Sequence, residues 1–226
     1  MTFYLIDWGG TYGADNSSWQ VTMPQVEAGS FATPFVDGTR SNTKALLDLT
    51  GNNTLTATSL TYASDNTFSF SNNYIDIANS SLISGNNPFT LEAFYNNTGG
   101  SGVIVGNYGP GYSANAIWLF GGGLYLNNGS NYISNYGSRI SGKHCICVTR
   151  DASGYTSTYF DGVVDVSNVL NTASIATNIN WRIGADVNGA SEAFTGSIYN
   201  VKVYNRALSA TEVAQNFNAL RSRYGI

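Results

Sequence analysis

The sequence predicts an all-β fold, a two-sheet antiparallel sandwich that is completed by one short C-terminal helix. Three observations indicate this fold class. Short runs of alternating apolar and polar residues recur along the chain, Gly- and Asn-rich turns separate them, and a helical spacing of apolar residues occurs once, near the C-terminus. Charged residues make up 11% of the 226 residues, against about a quarter in an average domain. Asn, Ser, Thr, Gly and Tyr take their place, which suits short strands joined by turns.

The alternating runs predict about a dozen strands between residue 45 and the C-terminal helix. The clearest local prediction is a hairpin, because Asp161 and Gly162 stand between two alternating runs and form a favoured two-residue turn. In chain order the predicted strands lie in residues 45–54, 67–71, 74–78, 89–95, 102–107, 116–123, 124–129, 143–151, 156–167 (the hairpin, two strands) and 180–186, with a last strand inside residues 194–209.

The end of the chain changes from a strand pattern to a helix pattern. Val201 and Val203 alternate with polar residues, as in a strand with one buried face. Ser209 and Glu212 then form a capping box, in which the serine hydroxyl accepts the Glu212 N–H and the glutamate accepts the serine N–H. Helically spaced apolar residues follow, so we expect a short amphipathic helix that begins after Ser209.

The first 36 residues differ from the rest. Pro24 and Pro34 limit the apolar runs there to edge strands or to an extended arm. The segment PQVEAGSFATPF resembles the last strand of a carbohydrate-binding-type β-sandwich, whose earlier strands are missing here. Residues 1–36 are therefore predicted to be an arm or the remnant of a preceding module, or else an extra strand on the main domain, which comprises residues 37–226.

Charge and hydropathy argue against several kinds of partner. The net charge is −4 and no segment is rich in Lys or Arg, which argues against nucleic-acid binding. No window of about 18 apolar residues exists, so no membrane insertion is predicted. The N-terminus lacks the basic and long apolar segments of a signal peptide, and we expect synthesis in the cytoplasm without one.

Four blocks of the sequence, in order, resemble the laminin G-like branch of the concanavalin A-like jelly rolls. They are KALLDLTGNNT, KHCICVTRDASGYTSTYFDGVVD, NWRIGAD and FTGSIYNVKVYNRALSATEV. The resemblance covers about residues 40–226. It implies a concanavalin A-like jelly-roll sandwich, a fold that hosts lectins, glycoside hydrolases, adhesion modules and structural parts of virions.

Two further segments shape the functional hypothesis. QNFNALRSRYGI and ATPFVDGTRSNT are similar in style to segments of tail-fibre-like and other surface proteins of bacteriophages. The leading hypothesis is a non-catalytic structural protein of a virion, on an appendage or the capsid surface, that acts in assembly or attachment to a host-surface glycan. Residues 1–36 would dock it to other virion proteins or to a second copy. The alternative is a free, lectin-like carbohydrate-binding module that was once part of a larger enzyme or adhesin.

The residues that hydrolytic chemistry would need are not arranged for it. Laminarinase-type hydrolases of the fold that this chain resembles carry Glu-x-Asp-x-x-Glu on one strand. That pattern is missing here. His144 and Cys145 are adjacent in a predicted strand, so their side chains face opposite ways and cannot form a nucleophile–base pair. Cys145 and Cys147 lie on one face and are predicted to be two small buried hydrophobes rather than a redox or metal pair.

A calcium site is compatible with the opening loop of the main domain. Relatives of this fold often bind Ca²⁺ through loop oxygens, and Asp48, Thr50 and Asn52 fall at alternate positions there. The closing strand carries Tyr199 and Asn200 where many relatives have an acidic residue. The alternative is an Asx-turn in which these side chains bind their own backbone.

The strongest sequence indication of a ligand surface is aromatic. Tyr108, Tyr112, Trp118 and Tyr125 cluster in the Gly-rich residues 106–129. Flat rings beside Asn side chains can stack on sugar rings while the amides bind hydroxyl groups. The alternative for Trp118, which lies between two apolar residues, is a position in the core.

Overall fold

The computed structural model describes fourteen strands and one helix. It covers residues 53–62, 68–79, 81–99, 102–107, 117–120, 123–126, 132–135, 141–187 and 192–226. The predictions for residues 1–36 and for Asp48, Thr50 and Asn52 fall outside these ranges. The elements are β1 (Leu55–Thr58), β2 (Thr61–Tyr62), β3 (Phe68–Phe70), β4 (Tyr74–Ile77), β5 (Phe89–Asn97), β6 (Val103–Gly106), β7 (Ile117–Phe120), β8 (Gly123–Leu126), β9 (Tyr132–Asn135), β10 (Gly142–Arg150), β11 (Tyr155–Phe160), β12 (Val163–Leu170), β13 (Trp181–Ile183), β14 (Gly196–Tyr204) and α1 (Ala210–Tyr224).

The strands form two antiparallel sheets of seven strands each. The first, which we call sheet A, has the order β1-β4-β13-β6-β7-β8-β9. The second, sheet B, has the order β12-β11-β10-β5-β14-β3-β2. Strands that are distant in sequence are neighbours in both sheets, as where β14 pairs with β5. The predicted two-sheet antiparallel sandwich with one short C-terminal helix is confirmed.

Most of the described strands coincide with predicted ones. In the hairpin of β11 and β12, Asp161 and Gly162 have φ angles of 50° and 77°, as a tight two-residue turn requires. The strands β1, β2 and β9 were not predicted from the sequence. β1 reads LTAT and has a mixed burial pattern, β2 has two residues, and β9 reads YISN in an Asn-rich stretch, so none of them shows a clear alternation.

The core lies between the two sheets and is built from the alternating residues of their strands. In sheet B, Phe89, Leu91, Ala93 and Tyr95 of β5 are all buried there, as their spacing predicts. Sheet A contributes alternating residues of β4 and β13 and the end of β6. These are Ile75, Ile77, Trp181, Ile183 and Val105. In β4 and β13 every second residue therefore points away from the core, whereas the consecutive Ile104 and Val105 of β6 are both buried in it.

The outer face of sheet B is covered by α1. Phe217 of the helix stacks on Phe94 of β5, with ring centroids 6.3 Å apart and an interplanar angle of 14°. Val213 packs with Cys147 and Tyr159 in a second apolar cluster. The predicted capping box at Ser209 and Glu212 is present, and Gly225 ends the helix in the left-handed conformation. Because both faces of β5 are covered, all but one of its nine residues are buried.

A buried arginine holds the loops at one end of the sandwich. Arg150, the last residue of β10, is 0% exposed, and its guanidinium lies 5.0 Å from the centre of the Phe89 ring. It donates hydrogen bonds to the backbone carbonyls of Gly85, Asn87 and Ala173 at 2.7–3.3 Å. One side chain thus joins the segment before β5 to the segment after β12.

The edge of sheet B at β12 is irregular and apolar. Relative to β11 this strand has an extra residue between Val166 and Val169 and another between Val164 and Val166. Asn168 in the first of these bulges has φ 56°. Val163 and Leu170, at the two ends of the strand, are 69% and 57% exposed. The bulges interrupt the regular spacing of the edge hydrogen-bonding groups.

In the described part of the chain, α1 is the one helix, and it is neither long nor apolar enough to cross a membrane.

Replacement of Arg150 by lysine is expected to destabilise the fold by about 3 kcal/mol, because the compact ammonium group lacks the planar fork that reaches three separate carbonyls and leaves buried acceptors unpaired. Urea unfolding followed by tryptophan fluorescence measures this change. Arg223→Lys, on the exposed side of α1, is the matched control and should shift the free energy of unfolding by less than about 0.5 kcal/mol. Equal effects of the two variants would contradict the role given to Arg150.

The capping box makes stability depend on pH in a defined direction. The guanidinium of Arg206 first, and then the backbone and hydroxyl of Ser209, lower the pKa of Glu212 to about 2. A carboxylate with a lowered pKa in the folded state stabilises the fold above its unfolded pKa of about 4.5, and this contribution is lost as the pH falls towards 2. Glu212→Gln should therefore lower the urea midpoint at pH 7 and have a smaller effect at pH 2.5. An effect of equal size at both values would contradict the assignment.

Candidate functional site

A single row of residues runs across the outer face of sheet A. The strand registers place Thr56 opposite Asp76, Asp76 opposite Arg182, and Arg182 opposite Gly106. The neighbours of Asp76 and Arg182 along their strands, Ile75 and Trp181 among them, are buried in the core. Asp76 and Arg182 therefore lie on the face that points away from it.

An ion pair forms the centre of this row. Arg182 Nε donates to Asp76 Oδ1 at 2.7 Å, and Arg182 Nη1 donates to the backbone carbonyl of Asp186 at 2.7 Å. The plane of the guanidinium is also close to Tyr74, 3.6 Å from the ring centre. The side chain of Arg182 is 11% exposed and that of Asp76 is 41% exposed. The arginine is thus fixed on several sides, and the carboxylate is the part of the pair that solvent reaches.

A cavity of about 400 Å³ opens beside this ion pair. This volume falls within the range of about 300–1,000 Å³ that small-molecule sites occupy. Asn178 and Asn180 at its rim are exposed, and Ile179 between them is buried. The full lining is Asp76, Ala78, Asn178, Ile179, Asn180, Arg182 and Val187.

Besides the guanidinium of Arg182, the lining combines three kinds of group. The carboxylate accepts hydrogen bonds, each amide both donates and accepts them, and Ala78, Ile179 and Val187 supply a small apolar surface. A ligand with several hydroxyl groups and an apolar C–H face matches this combination. No group of three or more His, Cys, Asp or Glu residues that could hold a metal ion occurs in the described ranges.

Two of the four aromatic residues predicted to bind sugar lie within the described strands. Trp118 of β7 is opposite Tyr125 of β8, and both continue the row that contains Arg182 and Gly106. Tyr132 of β9, which was not predicted, follows Tyr125 in the same row. Tyr108 and Tyr112 lie outside the described residues. The register brings Trp118 and Tyr125 together, and their role in binding remains a prediction.

Two residues that the sequence associates with the predicted calcium site, Asn53 and Tyr199, have contacts in the structure. Asn53, which directly follows the predicted ligand Asn52, accepts a hydrogen bond from Asn79 at 2.6 Å. On the closing strand, Tyr199 stacks on Tyr224 with ring centroids 4.7 Å apart. Asp48, Thr50 and Asn52 themselves lie outside the described residues, so the calcium site stays a prediction.

His144 and the two cysteines have structural surroundings. His144 Nδ1 lies 2.8 Å from Asp161 Oδ2, and Asp161 Oδ1 accepts the Cys145 N–H at 2.8 Å, so the hairpin turn is tied to β10. Cys145 and Cys147 are free and buried. Burial first, and then the charge of Glu92, raises the pKa of both thiols well above its usual value. The prediction of two small buried cysteines is confirmed.

The three described glutamates lie in different surroundings: Glu92 lies beneath α1, Glu212 lies in the helix cap, and Glu192 lies near Asp186. Glu92, on the outer face of β5, is 1% exposed. It lies 2.9 Å from Lys202 Nζ and accepts a hydrogen bond from the Asn216 amide of α1 at 2.9 Å. Glu212 belongs to the helix cap. Burial, and then the charge of Asp186, raises the pKa of Glu192.

Sequence reasoning missed Asp76, Arg182 and the two asparagines of the cavity. The alternation in YIDIA and NWRIGAD does indicate that Asp76 and Arg182 leave the core on the solvent side. Their pairing depends on a register between strands that are more than a hundred positions apart in sequence, and no local pattern gives that register.

Three solved structures illustrate the similarity of this chain to known proteins. Domain 4 of AbnA, a GH43 extracellular arabinanase from Geobacillus stearothermophilus solved with arabinotriose, is 19% identical, with a TM-score of 0.62 over 77% of this chain and 93% of that chain. A botulinum neurotoxin type C structure, whose description names two ganglioside molecules, is 15% identical, with a TM-score of 0.55 over 75% of this chain and 47% of that one. A mutant Trypanosoma rangeli sialidase is 20% identical, with a TM-score of 0.56 over 78% and 31%.

These similarities establish the fold. The AbnA domain is one domain of a larger enzyme and was solved with a sugar, and the description of the toxin names an interaction with gangliosides. The sialidase, by contrast, is an enzyme. No curated protein sequence matches this chain. A laminin G-type family model for the concanavalin A-like lectin/glucanases superfamily matches residues 68–214, which run from β3 into α1. With its two antiparallel sheets and jelly-roll architecture, the chain belongs to the concanavalin A-like lectin/glucanases superfamily.

Proposed function

We propose that this chain is a non-catalytic module that binds glycans on the outer face of sheet A. The observation that carries the proposal is the cavity beside Asp76 and Arg182, which combines a carboxylate, two amides and a small apolar surface. These groups match the alternating hydroxyl and C–H surfaces of a sugar ring.

The position of the cavity within the sheet supports the proposal. The row that contains Asp76 and Arg182 continues through Gly106, which has no side chain, to Trp118 and Tyr125. Strands in a sheet are about 4.8 Å apart, so a path from Asp76 to Tyr125 crosses roughly 20 Å. An oligosaccharide of several units has this length, and a face rather than a single pocket would bind it.

The other sheet is already occupied on its outer face. α1 packs over β5 and β10 there, and Phe94, Cys145 and Cys147 are buried beneath it. A ligand at that face would have to displace the helix. On the outer face of sheet A the Asp76 side chain is 41% exposed beside the cavity, so a ligand can reach this point without displacing the helix.

The surroundings of three acidic side chains support binding without catalysis. Retaining glycosidases need two carboxyl groups about 5 Å apart, and inverting enzymes need a pair at roughly 6.5–9.5 Å. Asp76 is paired with Arg182, Glu92 lies beneath α1 with Lys202, and Glu212 is held in the helix cap. The AbnA domain with arabinotriose provides a binding module of the same fold.

For the biological setting we propose a virion surface, either an appendage or the capsid, where the module attaches to a host glycan or takes part in assembly. The similarity of QNFNALRSRYGI and ATPFVDGTRSNT to segments of bacteriophage surface proteins supports this setting. Residues 1–36 would then dock the module to other virion proteins or to a second copy by adding an edge strand. The alternative setting is a free, lectin-like module from a larger enzyme or adhesin.

A glycan array probed with the full chain should give specific binding, and Trp118→Ala should weaken it at least tenfold, equal to about 1.4 kcal/mol. The matched control is Tyr155→Ala, which removes an exposed aromatic ring from sheet B and should leave affinity unchanged. An intact protein that binds no glycan would sink the proposal.

Removal of residues 1–36 tests the proposed docking arm. Light scattering should show an oligomer for the full chain and a monomer for residues 37–226, with the far-UV circular dichroism of the sandwich retained. A monomer in both cases would favour the free binding module and would reject docking through this segment.

A further inference from the structure

We infer that the cavity beside Asp76 is a subsite for a neutral sugar, recognised through neighbouring hydroxyl groups, and that it does not accept sugars that carry a carboxylate. This inference rests on the proposed glycan-binding function and specifies its ligand class.

The guanidinium of Arg182 is the positive charge in the cavity lining, and two of its nitrogens already donate hydrogen bonds. Recognition of a carboxylate by arginine normally uses two parallel N–H groups of one edge. Here Nε is bound to Asp76 and Nη1 is bound to the carbonyl of Asp186. The edge that contains Nε has therefore lost one donor of its pair, and the guanidinium is held in place from two directions.

The surroundings of Arg182 also oppose a second anion. A sugar carboxylate in the cavity would lie beside the Asp76 carboxylate, and two like charges at such short range repel one another. To gain access to the guanidinium, it would have to break a 2.7 Å ion pair whose arginine is only 11% exposed. The face of the guanidinium near Tyr74, 3.6 Å from the ring centre, leaves no room for a ligand on that side.

Hydroxyl groups meet the opposite situation. An ionised carboxylate has about four acceptor sites, and one Asp76 oxygen receives the Arg182 proton. The Asp76 side chain is 41% exposed and lines the cavity, so the carboxylate retains sites that can accept from one or two hydroxyls. Asn178 and Asn180 at the rim add donors and acceptors, while Ile179 and Val187 offer a surface for the C–H groups of the ring.

The Asp76–Arg182 pair thus provides a preorganised acceptor for the hydrogen bonds of a ligand's hydroxyl groups. The arginine holds the carboxylate in place and neutralises its charge, so that the carboxylate can bind a neutral ligand without a large desolvation cost. A site of this type rejects analogues that lack the hydroxyl pair, because its polar groups are then left unpaired.

Isothermal titration calorimetry on the full chain tests the inference with two sets of probes. The first set is neutral pentose and hexose oligosaccharides, and the second is the same chains terminated by sialic acid or a uronic acid. The wild type should bind a member of the first set at least tenfold more tightly than its acidic counterpart at 0.15 M salt. Asp76→Asn should lower the neutral affinity at least tenfold, and the control Asp165→Asn, on β12 of the other sheet, should not.

Each other result has a distinct meaning. Tighter binding of the acidic probes, lost in Arg182→Lys, would overturn the inference and leave the glycan-binding function standing. Neutral binding that is insensitive to Asp76→Asn and to Asn180→Ala would also overturn it, because the sugar would then bind elsewhere. No binding of either set by folded protein would reject the proposed function itself. Asn180→Ala changes an exposed rim residue and serves as the second variant if Asp76→Asn does not fold.

Discussion

Because α1 packs on sheet B, a ligand cannot reach the outer face of the central strands of that sheet unless the helix is displaced. Phe217 and Val213 enter apolar clusters with residues of β5 and β10, and the buried Glu92 is bound by Lys202 and Asn216. The two central strands of sheet B are therefore covered on both faces and serve as the rigid middle layer of the molecule. Among the described residues, sheet A faces the core with Ile75, Ile77 and Trp181, and its other face carries Asp76 and Arg182.

Two buried arginines show how the same side chain supports different tasks. Arg150 donates to backbone carbonyls alone in its described contacts, and in doing so it fixes loops at the end of the sandwich. Arg182 gives one donor to a carbonyl and another to the carboxylate of Asp76. The first arrangement stabilises the frame, and the second holds a carboxylate at the edge of a cavity. Loss of the Arg150 contacts would release the loops that they join. Loss of the Arg182 contacts would change the position of the Asp76 carboxylate at the cavity.

Local patterns predicted the features that depend on neighbouring residues. The alternation in FTLEAFY gives the inward residues of β5, Asp161 and Gly162 give the hairpin, and Ser209 with Glu212 gives the start of α1. The cavity was not predictable in this way. Asp76 and Arg182 are adjacent because β13 pairs with β4, and that pairing follows from the packing of whole sheets. The same limit applies to Tyr132, which lies beside Tyr125 only once β8 and β9 are in register.

The bulges of β12 affect whether a second chain can pair with this edge of sheet B. A straight edge with exposed valines would offer its free amide and carbonyl groups as a template for cross-β growth between molecules. The two extra residues of β12 and the left-handed Asn168 put those groups out of step with any regular incoming strand. Val163 and Leu170 can therefore remain exposed without making β12 a template for a second chain, and the protein should resist fibril formation at concentrations where a regular edge would not.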